Sequence, residues 1–141
     1  MNKDPAAQAT TEVDEILAHC RTVAVVGLSP KEHRDSFRVA HYMQAQGWKI
    51  VPINPNAATI LGETSYASLP EAAQFHRIDL VDIFRNSDDV PPVVDDAIAI
   101  GVKGIWLQMG VTHEAAAAQA HAAGLLVVQD KCLMVEHRRR A

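Results

Sequence analysis

Cysteine is scarce in this chain, aromatic residues are few, and no apolar run is long. The two cysteines, Cys20 and Cys132, cannot build a disulfide framework, so a packed core must hold the fold. The opening residues MNKDPAAQATTE contain no apolar stretch of the kind an export signal carries. No run approaches the roughly 20 apolar residues that cross a bilayer. These absences lead to the expectation of a cytoplasmic protein with no membrane contact. Positive charge is also limited: the formal net charge is -4, a field that opposes nucleic acid unless a local basic patch overcomes it. No extended patch is present, and Arg138-Arg139-Arg140 reads as a solvated terminus. Metal-ligand spacing is missing too. His113-Glu114 is followed on the same helical stretch by His121, too far along for an H-E-x-x-H site.

What is present suits one packed domain. The chain has 141 residues, 48% of them hydrophobic and 21% charged, which is enough for one core and too little for two domains of ordinary size. Residues 1–10, Ala-rich and without periodicity, read as a flexible arm, and residues 11–141 as the domain. Thr11-x-x-Asp14 resembles a capping box for a short helix reaching about Cys20, with Val13, Ile16 and Leu17 on one face. Thr22-Val23-Ala24-Val25-Val26 is a short uncharged run that stops at Gly27, the pattern of a strand buried on both faces. A basic turn follows (Lys31, His33, Arg34, with Arg38 close behind), and Asp35 or Ser36 can cap the next helix, which ends at Gln46-Gly47.

The same alternation then repeats. Trp48 to Ile53 is the second strand, with Pro52 at its end or on a sheet edge, followed by the Asn54-Pro55-Asn56 turn and an irregular stretch through Tyr66. Ser68 opens a short helix, and Ile78 to Phe84 is the third strand. Ser87 or Asp89 caps a helix that tolerates Pro91 and Pro92 in its first turn and ends at Gly101. Gly104 to Gln108 is the fourth strand. Thr112 caps an Ala-rich helix closed by Gly124, and Leu125 to Gln129 is the fifth strand. Apolar strands separated by helices imply an α/β fold: a single Rossmann-like doubly wound domain, mainly a parallel five-stranded sheet with helices on both faces. In such a sheet the ligand sits beyond the carboxyl ends of the strands. That rule selects Gly27-Leu28-Ser29-Pro30, Pro52-Ile53-Asn54-Pro55, Phe84-Arg85, Gln108-Met109-Gly110-Val111 and Asp130-Lys131-Cys132.

The ligand can be narrowed. A dinucleotide fingerprint needs G-x-G-x-x-G and an acidic residue at the end of the second strand. This chain has Gly27 alone in the turn and Pro52-Ile53-Asn54 at the strand end, which disfavours NAD. Lys31, His33, Arg34 and Arg38 supply more positive charge than a plain pyrophosphate requires, as a ligand with an additional phosphate would use.

The segments VVGLSPKEHRDSFRVAHYMQAQGWKIVPINPN, ILGETSYASL, DLVDIFRNSDDVPPVVDDAIAIGVKGIWLQMGV and AAGLLVVQDKCLMVEH resemble the small stand-alone CoA-binding proteins. These are similar to the N-terminal CoA-binding domain of the succinyl-CoA synthetase α subunit. The resemblance runs over about residues 15–138 and implies coenzyme A, or an acyl-CoA, as the small-molecule ligand. It implies that Gly27, Leu28, Ser29 and Pro30 wrap the phosphates with Arg34 and Ser36 nearby. Pro52, Ile53 and Asn54 face the adenosine, and Phe84, Arg85 and Val90 line the other wall. Gln108, Met109 and Gly110 approach the pantetheine. The ATP-grasp partner and phosphohistidine domain of the synthetase have no counterpart in these residues, so no ligase activity of its own is expected, and any chemistry would come from an unidentified protein partner or the ligand's thiol.

The second reading is an NAD(P)- or other nucleotide-dependent redox or acyl-transfer enzyme using Cys132, whose bland counterpart is a small buried apolar residue. Trp48 and Trp106 are better read as core or rim packing than as adenine platforms. Asp82 and Asp130 either act as acid–base groups or cap loops and pair with Arg85 and Lys131. His137 beside Glu136 reads as part of a surface terminus. No pair of residues forms a catalytic constellation.

Overall fold

The computed structural model describes residues 11–141, so the arm expected over residues 1–10 lies outside it. Five strands form one parallel sheet: β1 (Thr22–Val26), β2 (Lys49–Ile53), β5 (Leu80–Ile83), β6 (Gly104–Leu107) and β7 (Leu126–Val128). Their order is β2-β1-β5-β6-β7, so the chain reverses its direction of travel between β1 and β5. Pro52 can therefore sit in β2, because β2 is an edge strand and has a ladder on one side only. Two further strands, β3 (Thr59–Ile60) and β4 (Glu63–Thr64), form a small antiparallel hairpin in the stretch expected to be irregular. Leu61 and Gly62 both have positive φ there, as a tight two-residue hairpin loop requires.

The period-two alternation of the strands divides the core between two faces. Ala24, Val26, Val81, Ile83, Ile105 and Leu107 point to one face, covered by α3 (Leu69–Ala73), α4 (Val90–Ile100) and α5 (Glu114–Ala122). Val23, Val25, Leu80 and Trp106 point to the other, covered by α1 (Glu12–His19), α2 (Asp35–Ala45) and α6 (Leu133–Arg140). The doubly wound α/β sheet is thus as expected. Both tryptophans are packing residues: Trp106 is fully buried and donates Nε1–H to the Lys131 carbonyl, while Trp48 is buried beneath the Arg21 guanidinium.

The helix ends show where sequence reasoning misplaced a cap. The Thr11–Asp14 capping box forms as expected, and Ser68 caps α3. Neither Asp35 nor Ser36 caps α2: Arg34 is the N-cap, with no side-chain bond, and Ser36 Oγ instead accepts from the Ser29 amide. Ser87 and Asp89 make no side-chain cap for α4, since Ser87 Oγ accepts from the Thr112 amide. For α5 the cap is His113, whose Nδ1 accepts from the Ala116 amide, rather than Thr112. The residues expected to be a surface terminus form α6. Glu136 is buried there and accepts from Arg139 and Arg140, Arg140 also reaches Asp14 on α1, and His137 meets the Tyr42 hydroxyl.

One close approach fixes the site end of the sheet. Gly27 follows β1 with φ +86°, and a Cβ placed on it would lie 2.2 Å from the Phe84 carbonyl oxygen. Its amide donates to the Ile53 carbonyl while the Phe84 amide donates to Val26, so Gly27 is wedged among the ends of β1, β2 and β5. Gly27→Ala adds left-handed strain to a backbone clash. It is expected to lower unfolding free energy by roughly 2–4 kcal/mol in urea titrations.

Candidate functional site

Two adjoining cavities open beyond the carboxyl ends of β1, β5 and β6, where the strand order reverses. The smaller, of about 580 Å³, is lined by apolar Val39, Phe84, Met109, Val111, Met134 and Val135 among the polar groups Asp35, Arg38, Arg85, Asn86, Asp89, Gln108 and Cys132. The other, of about 630 Å³, is lined by Gly27, Ser29, Lys31, His33, Arg34, Asp35, Ser36 and Phe84. Asp35 and Phe84 belong to both, so the two form one cleft with a basic end and a more apolar end. Each volume is in the range of small-molecule sites.

The basic end is built from the β1–α2 turn. Ser29 accepts at its hydroxyl from the Lys31 amide and donates its own amide to Ser36 Oγ, which folds the turn back onto the helix start. The first turn of α2 therefore has no side-chain cap. Its amides carry partial positive charge and point outward, an anion-binding arrangement reinforced by exposed Lys31, His33 and Arg34. Among the described residues none of these three cations is held in an ion pair, whereas Arg38 is bonded to Asp35.

Sequence-selected residues divide into two groups. Gly27, Ser29, Arg34, Ser36, Phe84, Arg85, Gln108 and Met109 line the cleft. Leu28 and Val90 are fully buried, Pro52 and Ile53 are buried within β2, and Pro30, Asn54 and Gly110 stand outside both linings. Asn54 has a different task, donating from Nδ2 to the Leu28 carbonyl and accepting from the Asn56 amide, which ties the turn after β1 to the turn after β2. The cleft also uses residues absent from the sequence selection: Asp35 and Val39 on α2, Asn86 and Asp89 after β5, and Met134 and Val135 on α6. Only the recognition of α6 would have found the last two. Cys132, half-buried at the start of α6, lines the apolar end, and among the described residues its thiol has no hydrogen-bonded base.

Asp82 takes neither of the two structural roles expected of it, a loop cap or a partner of Arg85. It is buried in the central strand β5, and its Oδ1 accepts from Gln108 Nε2 at 2.7 Å. Its second oxygen, Oδ2, has no partner among the described residues. Burial pushes the carboxyl up to about 7, opposed by the Gln108 hydrogen bond. Asp130 does close a loop, accepting from the Gly110 amide while holding a positive φ.

Comparison with known proteins agrees with this architecture. The family described as CoA binding domain matches residues 21–138. The uncharacterized protein YneT of Bacillus subtilis (strain 168) is 35% identical over 126 residues, covering 89% of this chain and 92% of that one. A hypothetical protein from Pyrococcus horikoshii OT3 superposes with a TM-score of 0.86 at 33% identity, over 99% of this chain and 97% of the other. The apo dinucleotide-forming acetyl-coenzyme A synthetase 1 of Ca. Korarchaeum cryptofilum matches at 25% identity with a TM-score of 0.68. That likeness covers 80% of this chain but 26% of the synthetase.

The buried carboxyl gives the site a pH signature that needs no ligand. An aspartate in the unfolded chain titrates near 3.9, so the folded state holds this proton more tightly. Asp82 therefore favours folding most below about pH 4, and that contribution is lost as the pH rises through about 7. Asp82→Asn is expected to gain stability relative to the parent as the pH is raised from about 5 to about 8, measured by urea unfolding of both proteins.

Proposed function

Because the chain belongs to the CoA-binding domain family, we propose that it binds coenzyme A or an acyl-CoA across this cleft, with no ligase activity of its own. The phosphates lie at the uncapped start of α2 against Lys31, His33 and Arg34, and the pantetheine arm runs past Phe84 into the cavity of Gln108, Met109 and Cys132. The observation that carries this reading is the joining of the two ends at Phe84. A cationic anion site alone would suit any phosphate, and an apolar cavity alone any small molecule; a single cleft with both suits a ligand that is polyanionic at one end and a thin amide-bearing chain at the other.

Cys132 supports a second reading, because it lines the cavity assigned to the arm and its thiol would meet the ligand's thiol or thioester. In that case the protein is an acyl-transfer or redox enzyme. The absence of a hydrogen-bonded base on Cys132 among the described residues favours binding without turnover. Cys132→Ser separates the two: a thiol-dependent turnover would vanish with binding intact.

Calorimetric titration with CoA, dephospho-CoA and NAD tests the main reading. CoA is expected to bind, dephospho-CoA more weakly, and NAD weakest of the three. Arg34→Ala is expected to weaken CoA by about tenfold, the loss of one charge-assisted contact. Equal affinity for CoA and dephospho-CoA, with no effect of Arg34→Ala, would remove the basic turn from the site.

A further inference from the structure

Among the described residues, Gln108 is the one buried polar side chain that lines the apolar end of the cleft, and its orientation is set from behind. Resting on the CoA reading above, we infer that the buried Asp82 carboxyl group locks the Gln108 amide so that its carbonyl oxygen faces the cavity, where it selects a ligand chain carrying an N–H donor. Asp82 is the positioning residue, and Gln108 touches the ligand.

The 2.7 Å contact at Asp82 Oδ1 is made by Gln108 Nε2. An ionised carboxylate can only accept it. In the neutral form, which burial favours below about pH 7, Oδ1 still accepts when the proton sits on Oδ2, which has no other partner among the described residues. The planar amide then presents Oε1 on its other branch. Among the described residues Oε1 has no partner within the chain, and it is not among the buried unpartnered atoms. With no proton on Asp82 Oδ1, the reverse orientation would set two acceptors against each other in a buried site, which is costly. The cavity therefore offers an acceptor, and a ligand segment without a donor would leave it unsatisfied.

Among the described residues, nothing but Gln108 is bonded to the Asp82 side chain. Its strand neighbours are Val25 on β1 and Trp106 on β6, neither of them titratable. On the same face α1 presents Val13 and Ile16, and α2 presents Val39, Ala40, Met43 and Ser36, whose hydroxyl is taken by the Ser29 amide. Leu133 and Glu136 come from α6, with Glu136 taken by Arg139 and Arg140. The charged or titratable groups of the cavity are Asp35, Arg38, Arg85, Asp89 and Cys132, and among the described residues none is bonded to Asp82.

Two measurements test the lock. The first needs no ligand: the side-chain NH₂ signals of Gln108 are followed by ¹H–¹⁵N NMR from pH 5 to 9. They are expected to be protected from solvent exchange and to shift with a midpoint near the carboxyl's value of about 7, and Asp82→Asn is expected to abolish the shift. Signals that exchange freely, or that do not titrate, would overturn the lock whatever the protein binds. The second compares CoA with adenosine 3′,5′-bisphosphate, which has the charged end but no arm. Gln108→Met is expected to weaken CoA by about tenfold and to leave the bisphosphate within about twofold. Asp82→Asn is expected to remove the pH dependence of the ratio of the two affinities. Equal weakening of both ligands by Gln108→Met, or no weakening of CoA, would overturn the selective role. If neither ligand binds the parent protein, the CoA reading and the ligand half of this inference fail together, and the NMR result still decides the lock.

Discussion

The close approach of Gly27 to the Phe84 backbone is the constraint on which the rest of the site depends. With a Cβ position 2.2 Å from the Phe84 carbonyl oxygen, only glycine lets the turn after β1 settle onto the end of β5. The approach coincides with the reversal of strand order, so it sets where the sheet opens. It also brings Phe84 to the junction of the basic and apolar halves of the cleft. The hydrogen bonds from Gly27 to Ile53 and from Asn54 to Leu28 extend the same clamp to β2. A substitution at Gly27 would therefore disturb both halves at once.

Charge in the molecule is arranged against its average. The chain carries a formal net charge of -4, yet Lys31, His33 and Arg34 are exposed at one uncapped helix start. Among the described residues, several basic side chains elsewhere are paired with carboxylates: Arg140 with Asp14 and Glu136, Lys49 with Glu63, Lys103 with Asp79. Exposed pairs of this kind contribute little to stability, but they leave the α2 turn as a local positive field on an acidic protein. Such a field favours a small polyanion reaching one cleft over a long polyanion lying along the surface.

The fold was legible because its signals are redundant. Each strand of the sheet is an apolar run bounded by a turn residue, and Gly47, Gly101 and Gly124 fall in positive-φ positions after helices. The strand ends followed from the sheet, and with them Gly27, Phe84, Arg85, Gln108 and Met109. The remaining features rest on non-local contacts. Ser36 and Ser87 have the chemistry of caps but spend it on amides of Ser29 and Thr112, one in another turn and the other distant in sequence. Strands β3 and β4 have two residues each, below the length at which alternation can be seen. Helix α6 reads as a charged tail until the partners of Glu136 and Arg140 are known, and with it went Met134 and Val135. Asp82 was visible as a carboxylate inside an apolar run; that its partner would be Gln108, just past the end of the neighbouring strand, was not.

The most direct test of the account is a crystal structure of the protein soaked or grown with CoA. Density is expected for the phosphates within hydrogen-bond reach of the first amides of α2, with Arg34 or Lys31 on them, and for an arm that passes Phe84 to end beside Gln108 and Cys132. Density for CoA on another surface, or an arm that leaves the cleft at Phe84 for solvent, would contradict the single-cleft reading, however tightly the ligand bound.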